Sequence, residues 1–248
     1  MYKNLLASKK AVIFELDGAV TKDTRELRIR AFENVEDTNP IGYLMPRSYY
    51  SDGCSFEEIW DAIIYGNEIE TDFKIKDLVN KTWEAYAEII KNPDTSLELT
   101  EGFIDFYYEL KTEKNLKIGL VTDTPKHICE EIKKKLEIDG LFDALVTGDD
   151  IKRAKPNPET YSKILKRLKV SKKEALVFES SVPGTKSSIK AGIDTCVIWD
   201  GDFEERQFSE KVLEFTSDFT SYPGNLDQTH EEYIATSVKE AFEEKRQQ

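Results

Sequence analysis

Hydrophobic positions along the chain follow two different periods. Ala11-Val12-Ile13-Phe14 is a short unbroken apolar run that follows Lys9-Lys10 and ends in Glu15-Leu16-Asp17-Gly18. Such a run predicts a strand buried on both faces, with acids at its C-terminal end. Comparable runs are Ile118-Gly119-Leu120-Val121, Ala144-Leu145-Val146, Ala175-Leu176-Val177-Phe178 and Thr195-Cys196-Val197-Ile198-Trp199. Between the later runs the spacing becomes helical. Phe103, Phe106, Tyr107 and Leu110 fall at i, i+3, i+4 and i+7; Tyr161, Ile164, Leu165 and Leu168 repeat that spacing; Ile128, Ile132 and Leu136 line a third stripe. Alternation of this kind predicts βαβ units and a parallel sheet covered on both faces.

Residues 21–97 break the alternation and read as helices only. Leu27, Ala31, Phe32 and Val35 form one face, and Ser55 with Glu58 makes a capping box before Phe56, Ile59, Trp60, Ile63 and Ile64. Leu78, Val79, Thr82, Trp83, Tyr86 and Ile90 form a longer stripe. The expected organisation is an α/β core of residues 1–20 and 98–225, a helical insert of residues 21–97, and a C-terminal helix in 226–248. The hinges are expected at Thr21-Lys22-Asp23 and at Asn92-Pro93-Asp94. The tail helix is read from a second capping box, Thr229 with Glu232, ahead of Ile234, Val238, Ala241 and Phe242. It would dock on the core or on a protein partner.

Composition narrows the function classes. The chain has 248 residues, 39% hydrophobic and 33% charged, which is enough apolar material for a core. Its 35 basic and 48 acidic side chains give a net charge of −13. An acidic surface repels nucleic-acid backbones and anionic membranes, so neither is an expected partner. The three cysteines, Cys54, Cys129 and Cys196, lie far apart, which points to reduced thiols and a cytoplasmic location. Only two histidines are present, His127 and His230, too few for a histidine-rich zinc centre. No signal peptide and no membrane-spanning apolar run is read from the sequence.

Ligands of open parallel sheets bind beyond the carboxyl ends of the strands. Those ends carry Glu15 and Asp17, Thr122 and Asp123, Gly148-Asp149-Asp150, and Glu179-Ser180-Ser181, with Ala154-Lys155-Pro156-Asn157-Pro158 between the third and fourth runs. Carboxylates suit a hard cation such as Mg²⁺, and a hydroxyl with a lysine suits phosphate oxygens. The set points to phosphoryl transfer. Asp149 and Asp150 read as capping residues for the next helix rather than metal ligands.

This ordered set resembles the haloacid dehalogenase superfamily, most closely its β-phosphoglucomutase-like phosphatase branch. The resemblance spans about residues 10 to 202. It rests on Phe14-Glu15-Leu16-Asp17-Gly18 for a strand ending in Asp-x-Asp-Gly, on Leu120-Val121-Thr122, on Lys155-Pro156-Asn157-Pro158, and on Glu179-Ser180-Ser181-Val182-Pro183-Gly184 with Ala191-Gly192 following. It implies a Rossmannoid α/β core with an inserted helical cap. It also implies a Mg²⁺-dependent phosphomonoester hydrolase of a small phosphorylated metabolite such as a sugar phosphate. In that scheme the residue at position 15 attacks phosphorus, Asp17 serves as acid and base, Thr122 and Lys155 hold the phosphoryl oxygens, and Glu15, Asp17, Glu179 and Ser180 surround the metal.

Three positions depart from the pattern. Glu15 stands where the nucleophilic aspartate is expected, and its additional methylene moves the carboxylate by roughly 1.5 Å, one carbon–carbon bond. A misplacement of about 1 Å can cost about 10²-fold in rate. Ser180 stands where an acid is expected and weakens Mg²⁺ binding. Arg28, within Arg28-Ile29-Arg30-Ala31-Phe32, stands where the mutases carry a histidine, and arginine cannot relay a proton. Phosphatase chemistry is therefore expected over mutase chemistry, with weak turnover, and a catalytically inactive ligand-binding or partner-binding protein is the alternative. Arg28 and Arg47 are the expected substrate-selecting side chains of the insert.

Overall fold

The computed structural model describes residues 5–22, 24–39, 54–66, 68–69, 71–201 and 204–222. Arg47, Asp23, His230 and the expected tail helix lie outside the described residues.

β1 (Ala11–Glu15) is buried along its whole length. It sits in the middle of a six-stranded sheet and is flanked by β2 (Lys117–Val121) and β4 (Ala175–Glu179). β3 (Ala144–Val146) lies outside β2; β5 (Asp194–Ile198) and β6 (Phe215–Thr216) lie beyond β4. The strand order is β3-β2-β1-β4-β5-β6, and every pairing is parallel. The sequence reading anticipated β1 to β5 but not β6, whose two residues are too short to show a pattern.

Alternating side chains of β1 go to opposite faces, as strand geometry requires. Ala11 and Ile13 join Val121, Val177, Tyr161, Ile164 and Leu168 on one side. Tyr161, Ile164 and Leu168 come from α6 (Glu159–Leu168), and Gly119 lets that helix approach: a Cβ there would meet Ile164 and Leu168 at 3.0 Å. Val12 and Phe14 face the larger cluster, which includes α4 (Phe103–Tyr108) and α5 (Lys126–Lys135). Phe14 is the hub of its rings. It stacks on Phe178 at 5.4 Å and meets Phe103 at 5.2 Å and Phe219 at 5.6 Å edge-on.

Between β1 and β2 run α1 (Arg25–Thr38), α2 (Phe56–Ile64) and α3 (Ile75–Lys91). The Ser55–Glu58 capping box opens α2 with both reciprocal bonds formed. The three helices share a core in which Phe32 stacks on Trp60 at 4.2 Å and the Trp60 indole donates to Thr82. The chain enters and leaves this segment side by side. Thr21 bridges to Leu99, the Thr100 amide donates to the Val20 carbonyl, and Lys22 pairs with Glu98 at 2.5 Å. The crossing thus lies at residues 20–22 and 98–100, several residues after Asn92-Pro93-Asp94. Arg25, at the start of α1, also forms an ion pair with Asp200, just past β5. Among the described residues, no helix is long and apolar enough to cross a membrane.

Phe14 ties the sheet to α4 and to the segment around Phe219. Phe14→Ala should lower unfolding free energy by about 3–5 kcal/mol, the range for deleting a large buried aromatic. Equilibrium denaturant unfolding reads the change.

Candidate active site

β1 and β4 are adjacent and parallel, with Phe14 opposite Phe178. The register brings Glu15 and Glu179 together at the same edge of the sheet. Both are buried, and two buried carboxylates side by side require a counter-charge. Lys155 supplies it: its Nζ lies 2.8 Å from Glu179 Oε1 and 3.5 Å from Glu15 Oε1.

The two carboxylates are not equivalent. Glu179 Oε1 also accepts from the Tyr161 hydroxyl at 2.7 Å, and its Oε2 accepts from the amides of Ser180 and Ser181 and from the Ser181 hydroxyl. Gly184 makes room for this arrangement, because a Cβ there would stand 1.8 Å from Glu179 Oε1. Glu15 has the longer contact with Lys155, and its Oε2 is buried without a hydrogen-bond partner. Burial therefore pushes the Glu15 carboxyl well above its ordinary range, against the pull of Lys155. Glu179 feels the same burial, but the charge and hydrogen bond of Lys155 with the surrounding donors hold it below its ordinary range. Burial opposes the charge on Lys155 as well; the Glu179, Glu15 and Asp123 carboxylates outweigh it and keep the ammonium protonated.

Asp17 follows β1 in a tight turn with Gly18 at φ +89°. Its carboxylate accepts from three threonine hydroxyls: Thr24 at 2.9 Å, Thr122 at 3.2 Å and Thr124 at 3.1 Å. Thr24 precedes α1, so the acid is held partly from the helical segment. Thr122 is fully buried behind Asp17, with its hydroxyl also accepting from the Thr124 amide. Ser180 donates to the Asp17 carbonyl at 2.8 Å, and its Oγ lies 2.7 Å from where a Gly18 Cβ would sit. Gly18 is thus required both for its backbone and for the approach of Ser180.

A cavity of about 320 Å³ opens over these residues. Glu15, Asp17, Asp123 and Lys155 line its floor, and Arg28 with Trp83 lines the side formed by the helical segment. The structure therefore gathers Glu15, Asp17, Lys155, Ser180 and Arg28 around one space. Thr122 and Glu179 stand behind it, supporting Asp17 and Lys155. Asp123 lines the cavity, and its Oδ1 is buried without a hydrogen-bond partner. Asp149 and Asp150 are structural: Asp149 accepts from the Lys126 amide, and Asp150 pairs with Arg167 at 2.6 Å. Cys54, Cys129 and Cys196 form no disulfide.

The donor set does not fit a Mg²⁺ ion, which takes near-octahedral oxygen ligands at about 2.0–2.1 Å. Both Glu179 oxygens and the Asp17 carboxylate are engaged by protein donors, and the Ser180 hydroxyl is turned to the Asp17 carbonyl. Glu15 Oε2 and Asp123 Oδ1 are the carboxylate oxygens left without partners here. Among the described residues, no cluster of three or more His, Cys, Asp or Glu side chains forms a metal-binding group.

Residues 12–198 match the family model of the haloacid dehalogenase-like hydrolases. The chain belongs to this family. Its relatives include a phosphorylated carbohydrates phosphatase of Thermotoga maritima, 30% identical over 189 residues, covering 75% of this chain and 82% of that protein. The β-phosphoglucomutase of Bacillus subtilis is 26% identical over 236 residues, covering 94% of this chain and 99% of that one. Among solved structures, CbbY from Rhodobacter sphaeroides in complex with phosphate superposes with a TM-score of 0.77 at 20% identity, over 87% of this chain and 97% of that one. The parallel sheet with its flanking helices is the fold of the haloacid dehalogenase family.

The tyrosine and threonine partners were harder to foresee. Tyr161 reads as one more apolar position of α6, and Thr24 and Thr124 carry no motif. Their roles appear only once the strand ends converge.

The raised Glu15 pKa has a measurable consequence. A carboxyl that is protonated more readily when folded stabilises the fold below its unfolded pKa, near 4.5, and loses that contribution as pH rises through the folded value. Glu15→Gln keeps the neutral shape and removes the titration. The stability of the wild type minus that of Glu15→Gln should therefore fall as pH rises above about 4.5. Urea unfolding at a series of pH values measures it; a gap that stays constant or grows contradicts the assignment.

Proposed function

We propose that this chain is a slow phosphomonoester hydrolase of the haloacid dehalogenase type, acting on a small phosphorylated metabolite such as a sugar phosphate. The observation that carries the reading is the convergence of Glu15, Asp17 and Lys155 on one cavity beyond the strand ends. The phosphatase and mutase names of the relatives support the same class of substrate. The helical segment would act as a cap that excludes water and supplies ligand contacts. The three cysteines of the chain, none of them in a disulfide, fit a reducing, cytoplasmic setting.

In this scheme the Glu15 carboxylate attacks phosphorus and forms an acyl phosphate while the alcohol leaves. Asp17 delivers the proton to the leaving oxygen and later takes one from the attacking water. Lys155 offsets the charge on the phosphoryl oxygens. Each part works against a handicap in this chain. Glu15 is longer than aspartate, and burial pushes its carboxyl well above its ordinary range. Lys155 already answers to two carboxylates. The metal position has no donor set that fits, so the scheme assigns Mg²⁺ no step.

A second reading is favoured by one specific contact. The Ser180 hydroxyl donates to the Asp17 carbonyl and closes the turn where an acid would offer a free oxygen. A protein that binds a phosphorylated ligand without hydrolysing it, or that uses the fold to bind a partner, would retain such a site.

Assays on a panel of sugar phosphates, with and without Mg²⁺, separate the readings. The wild type should turn over well below the roughly 10 s⁻¹ typical of enzymes. Glu15→Asp with Ser180→Asp should raise the rate by about 10²-fold and make it Mg²⁺-dependent, exceeding either single change. Wild-type turnover at typical enzyme rates would show that these two positions do not limit the site. A silent double variant would favour the non-hydrolytic reading.

A further inference from the structure

Arg28 is a cation that no ion pair engages among the described residues. It projects from α1 against one side of a pair of aromatic side chains: its guanidinium carbon lies 4.9 Å from the centre of the Phe56 ring on α2 and 5.5 Å from that of Trp83 on α3. The two rings meet edge-on at 4.5 Å and brace each other. Arg28 is half-buried, and among the described residues no Asp or Glu forms an ion pair with it. Its neighbour Arg25 differs, being paired with Asp200.

A guanidinium packed on aromatic rings is held by cation–π attraction while its N–H edge remains available. That edge is fixed in direction, because the rings restrict the rotation of a normally flexible side chain. Arg28 and the acidic floor line the same cavity. Burial raises the Asp123 carboxyl on that floor above its ordinary range, with Lys155 and, less strongly, Arg28 acting against the rise. The volume, about 320 Å³, lies at the lower end of small-molecule sites. A ligand of that size held at one end near Lys155 would place its other end near Arg28.

We propose that Arg28 reads a second anionic group on the ligand, so that the site selects phosphate esters that also bear a carboxylate or another phosphate. The inference rests on the phosphate reading above and adds the substrate class. A neutral sugar end would leave the guanidinium edge desolvated and unanswered. A carboxylate or phosphate would accept two parallel hydrogen bonds from it.

The test compares ligands that differ in one group. Glycerol 3-phosphate and 3-phosphoglycerate differ by a hydroxymethyl against a carboxylate; fructose 6-phosphate and fructose 1,6-bisphosphate differ by a second phosphate. Calorimetry on the full chain carrying Glu15→Gln, which removes the attacking carboxylate, measures binding without turnover. At least one dianionic partner should bind about tenfold more tightly than its singly phosphorylated counterpart, the scale of one charge-assisted contact. The pair that shows the preference identifies the second group as carboxylate or phosphate.

Arg28→Met keeps a long apolar side chain against Phe56 and Trp83 without the charge. It should bring each pair to within about twofold, weakening the dianionic ligands more than the singly phosphorylated ones, and Arg28→Lys should retain part of the preference. Binding of the single phosphates with no gain from a second anion, or a gain that survives Arg28→Met, overturns this inference and leaves the phosphate reading standing. If no phosphate ester binds while glycerate binds in an Arg28-dependent way, the phosphate reading fails and the anion contact stands. No binding of any of these ligands overturns both.

Discussion

The buried contact between Lys155 and the two glutamates is the constraint on which the site depends. Parallel pairing of β1 with β4 leaves no freedom in the matter: the residues that end those strands become neighbours. With Glu15 and Glu179 both below the surface, the fold needs one cation between them, and the loop before α6 delivers it. A buried ion pair of this kind is weak evidence of net stability, because desolvation offsets much of the attraction. Its effect is positional. Lys155 is held at the cavity floor, and Glu179 is fixed by the donors that gather on both of its oxygens.

The same contact sorts the two carboxylates into roles. Glu179, with the shorter bond to Lys155 and the amides of Ser180 and Ser181, is the ionised partner. Glu15 keeps one oxygen buried and unanswered, and its carboxyl is held toward the neutral form. An attacking group in that condition must first lose its proton and then draw Lys155 away from Glu179. The site holds Glu179 and Asp17 in a network of a lysine, hydroxyls and amides, while Glu15 Oε2 and Asp123 Oδ1 stay outside it.

Much of the fold could be read from the sequence because buried parallel strands are continuous apolar runs and their helices repeat every three to four residues. β1 to β5 and α1 to α3 emerged in this way, and so did the convergence of Glu15, Asp17 and Lys155. What could not be read was set by contacts distant in sequence. β6 is two residues long and exists because it extends the sheet beside β5. Thr122 ends its strand as anticipated, yet its hydroxyl turns to Asp17, an outcome fixed by the turn at Gly18 rather than by any local pattern. Tyr161 occupies an apolar position of α6, and only the position of Glu179 makes its hydroxyl matter. Gly184 stands at motif spacing, but the reason is steric: the Glu179 carboxylate fills the volume of its absent side chain.

The helical segment contributes what the core lacks. The core side of the cavity presents Glu15, Asp17 and Asp123 against Lys155 and Lys152, in a chain whose net charge is already −13. An anionic ligand approaching such a surface meets repulsion unless positive charge is placed at the mouth. Arg28 lies on the opposite wall, packed against Phe56 and Trp83 and, among the described residues, in no ion pair with a carboxylate. Thr24, directly ahead of the same helix, holds Asp17 by its hydroxyl. The entry to α1 therefore connects to both ends of the cavity, through a hydrogen bond to the acid on the floor and through a cation on the wall. A rotation of the helix about the paired segments at 20–22 and 98–100 would change both together. Ligand capture and the placement of Asp17 are in this way linked by one short stretch of chain.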